Sequence, residues 1–218
     1  MGVFARVLLL TVMFSVFFFP AAGHARPSDP GKLVLAVSNQ VLDLVRDARK
    51  MEEGKEAFLN KELKTTLDPY IDFATFARGV MGKYRDEVSQ ENTERFVKDF
   101  KSTLVRLYGK SMLAFEVEDI TIAETVTPRP AMAQVTMHIT SEEGASFKAQ
   151  YSLRQNKQDE WKVLNVILDG VNLGLTYRNQ FYSAVDSNDG DVAAAISNWS
   201  SVMKDAQTEV EKDIGKEK

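Results

Sequence analysis

Ala133-Gln134-Val135-Thr136-Met137-His138-Ile139-Thr140, a turn at Glu142-Glu143-Gly144, then Phe147-Lys148-Ala149-Gln150-Tyr151-Ser152-Leu153-Arg154 is the stretch that decides the fold. Apolar and polar residues alternate on both sides of a glycine turn. That period belongs to half-buried strands, and the turn between them makes an antiparallel hairpin. Ala133, Val135, Met137 and Ile139 share one face of the first strand, and Phe147, Ala149, Tyr151 and Leu153 one face of the second. The same period continues on either side. Glu116 to Val126 alternates before the hairpin; Asn156 to Glu160 turns the chain after it, and Trp161 to Leu168 alternates again. Four strands in an antiparallel meander are expected.

Upstream, the period becomes that of a helix. Leu33, Val37, Val41, Leu44, Val45 and Ala48 mark one amphipathic helix ending near Gly54, and Ala57 to Leu67 a second. Asp68-Pro69 interrupts the pattern, because proline disfavours helix at the residue before it and suits a first turn. A third helix is expected from about Tyr70 to Met81. Ser89 is a good N-cap for a fourth, with Phe96, Val97, Phe100, Leu104, Leu107 and Tyr108 in one stripe, weakened at Gly109 and followed by a short turn to Phe115. Downstream, Leu173 to Phe181 and Val192 to Met203 read as helices around a polar loop, Asp186 to Asp191. Helices, then strands, then helices give an α+β domain. The expected form is a curved four-stranded antiparallel sheet packed against helices from both ends of the chain, enclosing an apolar cavity.

Composition removes several function classes. The 218 residues include no cysteine and two histidines. Disulfide frameworks, thiolate metal sites and cysteine nucleophiles are excluded. With 27 basic against 31 acidic residues the net charge is −4, which lacks the basic face a nucleic-acid binder needs. Arg6 followed by the apolar run Val7 to Phe19, a break at Pro20, and small residues in Gly23-His24-Ala25 form a cleavable signal peptide. The run is short of the ~20 residues of a membrane span, which weighs against an uncleaved anchor. The division is therefore a signal peptide over 1–25, a single domain over 26–205 and a charged tail over 206–218. An exported cysteine-free chain without a membrane tether suits a bacterial periplasm.

Candidate chemistry is sparse. His138 lies on the polar face of its strand, the place of a solvated histidine rather than a general base, which needs a cleft and a partner. The acid pairs Glu52/Glu53, Glu142/Glu143 and Asp159/Glu160 fall in turns. Asp186-Ser187-Asn188-Asp189-Gly190-Asp191 has the look of a calcium loop, but its glycine is one place early and Ser197 stands where a bidentate glutamate belongs. An N-cap at Asp189 or Asp191 explains it better.

Three groups of residues carry a family resemblance. The first is Leu67-Asp68-Pro69-Tyr70-Ile71-Asp72-Phe73 at a helix break. The second is Gly82-Lys83-Tyr84 with Ser89-Gln90-Glu91, Phe96, Phe100, Leu104 and Tyr108-Gly109. The third is Trp161-Lys162-Val163 with Gly170-Val171, Leu173 and Tyr177-Arg178-Asn179-Gln180-Phe181. In this order, over roughly residues 30 to 200, the chain resembles the periplasmic phospholipid-binding MlaC proteins, also called toluene-tolerance auxiliary proteins. It departs from them in Arg85-Asp86-Glu87, where another aromatic and a basic residue are common. It departs also in Asn165 and Asn172, where Asp and Ser are expected.

The resemblance implies a monomeric lipid-binding domain over 26–205 that shuttles glycerophospholipid and maintains outer-membrane asymmetry. Its implied partners are an inner-membrane ABC transporter complex with a substrate-binding ring and an outer-membrane lipoprotein–porin complex. It implies no catalytic residue, metal or cofactor, since the lipid is cargo. A two-chain lipid hides about 30 methylenes, so at ~0.8 kcal/mol each its transfer to water costs on the order of 24 kcal/mol, and a carrier is needed. Candidate lining residues are Phe73, Phe76, Tyr84, Phe96, Phe100, Leu104, Met112, Val135, Met137, Phe147, Ala149, Tyr151, Val163, Val171, Leu175 and Phe181, each equally readable as plain core. Lys83 and Arg178 are candidates for the phosphate, with a solvated surface cation as the alternative. Two other classes stay open: a small periplasmic enzyme of cone-shaped α+β fold acting on an apolar substrate, with Asp119 its best-placed acid, and a non-lipid interaction module.

Overall fold

The structure, a computed structural model, describes residues 28–203. The expected signal peptide over 1–25 and the tail over 206–218 lie outside the described residues. Of the six α-helices that begin and end among the described residues, five begin on a side-chain N-cap, which satisfies amide groups that the first turn leaves unpaired. Asp29 caps α1 (Pro30–Arg49), Asp72 caps α3 (Phe73–Met81) and Ser89 caps α4 (Gln90–Ala114). Asn172 caps α5 (Leu173–Asp186) and Asp191 caps α6 (Val192–Ser197). Helix α2 (Lys55–Leu67) begins after Gly54 without such a bond, and a 3-10 turn, Gly82–Asp86, follows α3.

Helix α4 runs unbroken through Gly109. A Cβ there would stand 3.2 Å from Asn60 Oδ1 and 3.3 Å from Leu63 Cδ1, so the glycine lets α2 approach closely rather than ending the helix. The last turn of α4 holds no basic residue of its own. Arg49, at the end of α1, supplies the charge instead and donates to the carbonyls of Met112 (3.1 Å), Leu113 (3.3 Å) and Phe115 (2.6 Å).

The sheet runs β1 (Val117–Arg129), β2 (Met132–Ser141), β3 (Ser146–Gln155), β4 (Trp161–Leu168), β5 (Val171–Asn172), in sequence order and antiparallel throughout. The expected count of four thus becomes five: β5 is only two residues long and carries no periodicity of its own. The β2–β3 register has no shift, and His138, opposite Thr121 and Lys148, is exposed. In β4 the register slips between Ser152 and Leu153, so Leu164 is an extra residue. A bulge changes which face each following residue occupies. Val163 pairs with Leu153, Val166 with Tyr151 and Leu168 with Ala149, so these three face inward. Three further register shifts interrupt the edge strand β1.

The helix-break motif also differs from expectation. Tyr70 and Ile71 precede α3 rather than opening it, and they lie along β4. Val163 N–H donates to Tyr70 O at 2.8 Å and Asp72 N–H to Val163 O at 3.0 Å, which covers the edge of β4 next to its bulge. Asp72 then caps α3, accepting from Thr75 N at 2.9 Å and Thr75 Oγ1 at 2.6 Å. Helices α3 and α5 lie side by side in the same direction. They meet where Gly174 faces the Phe76 ring, where Arg178 Nε donates to Gly79 O at 2.9 Å, and where Gly82 faces Tyr182.

Candidate functional site

A domain ordinarily has one contiguous hydrophobic core with small satellites. Here the buried residues fall into three clusters. The helical one joins Phe76, Phe96, Phe100, Tyr177, Phe181 and Trp199, among others, from α3 to the end of the described chain. A second lies on the inward face of the sheet, with Ala133, Val135, Met137, Ala149, Leu153 and Trp161 beneath Leu33 and Val34 of α1. The third joins Val45, Ala48, Leu59, Leu63 and Val105 where α1, α2 and α4 meet.

The seam between the first two clusters crosses the sheet. Tyr151 and Val166 are cross-strand partners, yet Tyr151 packs against the sheet cluster and Val166 against the helical one. Strand β3 is the middle of the sheet, where an inward side chain in a filled interior is sealed. Ala149 and Leu153 are 1% exposed, but Tyr151 between them keeps accessible surface. Burial still pushes the Tyr151 phenol up to about 12, against a hydrogen bond with the Ser38 side chain that lowers it.

The expected lining residues are spread over all three clusters. Phe76, Phe96, Phe100 and Phe181 are sealed in the helical core, where Phe96 packs on Trp199 and on Phe181 with ring centroids 5.1 Å apart in both pairs. Tyr84, Leu104 and Val171 pack half-buried against that core. Val135, Met137 and Ala149 are buried in the sheet cluster, with Tyr151 and Val163 half-buried on it; Met112 packs on the third cluster. Phe147 meets Phe115 edge-to-face at 4.9 Å, and Phe73 is buried under Lys101 Nζ, 5.4 Å from its ring centroid. Leu175 does not join them: it is 50% exposed on the first turn of α5. Ser38, absent from the expected set, lies beside Tyr151 and donates to Met137 Sδ at 3.6 Å. Its signal was available, since Ser38 is the hydroxyl on the Val34–Val37–Val41 stripe.

One candidate cation sits on the 3-10 turn after α3 and the other on α5. Lys83 is exposed, its Nζ 4.8 Å from the Tyr84 ring centroid and 5.2 Å from that of Tyr182. A hydrogen bond with the Tyr84 side chain, first among several causes, raises the Lys83 pKa. Arg178 is half-buried and tied to Gly79 O. The departures Asn165 and Asn172 turn out to be one unit. Asn165 Nδ2 donates to Asn172 Oδ1 at 2.9 Å, and the two oxygens accept the Gly174 and Leu175 amides that open α5.

Other chemistry gathers poorly. Asp119 is exposed on the edge strand. Asp191 is an N-cap, and no group of three or more His, Cys, Asp or Glu able to hold a metal occurs among the described residues. An open groove of ≈ 500 Å³ beside α2 is lined by Lys64, Thr65, Asp68, Pro69 and Lys101, too polar for acyl chains. No helix among the described residues is long and apolar enough to cross a membrane.

Residues 35–201 match the MlaC protein family. Toluene tolerance protein ttg2D of Pseudomonas putida is 30% identical over 180 residues, which are 82% of this chain and 83% of that one. The intermembrane phospholipid transport system binding protein MlaC of Haemophilus influenzae is 22% identical over 168 residues, 76% of this chain and 78% of its own. The solved phospholipid-binding protein from Ralstonia solanacearum, in complex with a phospholipid, shares the fold at a TM-score of 0.71 and 19% identity, over 82% of this chain and 99% of that chain. By the extent of the family match and the identity to ttg2D, the chain belongs to the MlaC protein family.

Proposed function

We propose that this protein is a periplasmic carrier that holds glycerophospholipid by its acyl chains and is exported by the signal peptide over 1–25. It moves lipid between an inner-membrane ABC transporter complex with its substrate-binding ring and an outer-membrane lipoprotein–porin complex, and so sustains outer-membrane lipid asymmetry. It works as a monomer and as a carrier rather than a catalyst.

The observation that carries this reading is the divided interior. The middle strand presents Tyr151, with accessible surface, and β4 presents Val166 beside it, to two clusters that do not merge. An apolar chain laid along that seam meets Tyr151, Val163, Val166, Leu168 and Val171. Carriage asks for apolar contact with few polar groups, since the on-the-order-of 24 kcal/mol of hiding two chains is matched in membrane and protein alike. The relatives support the same reading: one is named for intermembrane phospholipid transport, and the Ralstonia protein holds a phospholipid.

Native mass spectrometry of protein purified from a diderm host without detergent tests it, together with transfer of labelled phospholipid between vesicles. The expected results are a bound glycerophospholipid, lost on denaturation, and accelerated transfer. A folded protein that carries no lipid and transfers none refutes the reading.

A further inference from the structure

Ser38 lies where the apolar stripe of α1 crosses the sheet. Its neighbours on that stripe, Val34 and Val37, belong to the sheet cluster or pack against it. Ser38 is half-buried, and its hydroxyl donates to Met137 Sδ at 3.6 Å, a thioether being among the weakest acceptors a protein offers. The Tyr151 phenol is a neighbour of the same serine, whose side chain acts against the burial that raises the phenol pKa. The serine proton, shared with a thioether, is thus available beside the seam, next to the partly exposed Tyr151 of the middle strand.

Resting on the carrier reading, we propose that Ser38 donates a hydrogen bond to an ester carbonyl oxygen of the bound lipid, with Tyr151 as the positioning residue that orients the serine hydroxyl. On lipid entry the Ser38 proton swings from Met137 Sδ to the carbonyl, exchanging a weak acceptor for a strong one. A phosphate oxygen does not suit this place. Val37, Val135 and Met137, all uncharged, belong to or pack against the same cluster as Tyr151, and an anion buried without a cation is penalised heavily. The raised Tyr151 pKa agrees, since the site favours neutral groups. Ester carbonyls join the glycerol to both chains, so this contact sets how deep the lipid sits.

The test offers lipid-stripped protein equal amounts of diacyl and dialkyl phosphatidylglycerol with matched chains, in mixed vesicles. Bound lipid is read by native mass spectrometry. The two lipids differ in the ester carbonyls alone. Wild-type protein is expected to take up the diester in about fivefold excess, the equivalent of about 1 kcal/mol for one net hydrogen bond. Ser38→Ala brings the ratio to about one, and Tyr151→Phe lowers it part of the way. Met137→Leu, a swap of similar volume, removes the competing acceptor and raises the ratio. A wild-type ratio near one overturns the inference, as does a ratio that survives Ser38→Ala or falls in Met137→Leu. If wild-type protein takes up neither lipid, the carrier reading itself has failed and the inference falls with it.

Discussion

Gly82→Ala is expected to be among the most damaging single-methyl additions to this protein. Gly82 has φ 54° and ψ −117°, a region that side chains avoid, and holding a non-glycine residue there costs about 1–3 kcal/mol. A Cβ would also lie 2.1 Å from Tyr182 Oη, 2.9 Å from Cζ and 3.1 Å from Cε1. Tyr182 cannot yield freely. Its hydroxyl accepts from Lys83 N–H at 2.9 Å, and its ring meets Tyr84 edge-to-face at 5.2 Å. Clearing the methyl forfeits the hydrogen bond, about 1 kcal/mol, and much of the ring pair, about 1 kcal/mol more. The total is about 3–5 kcal/mol. Chemical denaturation of Gly82→Ala, Tyr182→Ala and the double variant separates the two causes. In the Tyr182→Ala background only the backbone term remains, so Gly82→Ala should cost about 2 kcal/mol less there than in the wild type. Equal costs in the two backgrounds would show that the close approach is not what requires glycine.

Three further outcomes are expected. Arg49→Met strips three carbonyls at the end of α4 of their donor and should cost about 2–3 kcal/mol, while Arg46→Ala, which loses an exposed pair with Asp43, should cost under about 0.5 kcal/mol; denaturation midpoints rank the two. The Tyr151 phenol titrates higher folded than unfolded, so its contribution is whole below about pH 10 and fades as pH rises toward 12, by about 2–3 kcal/mol at most. Melting scans should therefore show a steep alkaline loss that is shallower in Tyr151→Phe, and parallel curves would contradict this. His138→Ala, on the outer face of β2, should leave vesicle-to-vesicle lipid transfer unchanged, and a slower rate in a folded variant would refute that placement.

The parts legible in the sequence are those where one local period runs without interruption. Strands β2 and β3 alternate cleanly and pair without a shift, so Val135, Met137, Ala149 and Tyr151 were assignable to one face. Strand β4 was half legible: both of its residue sets are largely apolar, so nothing local announced the bulge at Leu164 that turns Val166 and Leu168 inward. Tyr70 and Ile71 read as helix because Phe73 and Phe76 follow at helical spacing; their pairing with Val163 is a contact between distant segments. The role of Arg49 is illegible for the same reason, since the carbonyls it caps lie at the end of α4. For the candidate site, aromatic stripes marked inward faces but not which of them are filled. Phe96, Phe100 and Phe181 seal against Trp199, whereas Tyr151 lies on a seam. That distinction depends on which cluster each neighbour joins, and no spacing rule contains it.

The three meeting points of α3 and α5 have a mechanical consequence. Phe76 with Gly174, Gly79 with Arg178, and Gly82 with Tyr182 act as rungs about one turn apart, so sliding either helix by one residue, about 1.5 Å, breaks all three together. The pair therefore moves as one plank. Both of its N-terminal ends are moored to β4, α3 through Tyr70 and Asp72 on Val163, and α5 through Asn165. Its other end is gripped by packing rather than by hydrogen bonds to the sheet, with Phe181 sealed against Phe96 and Trp199 and Tyr84 packed against Tyr182. A displacement of β4 is thus passed along the whole plank into the helical core.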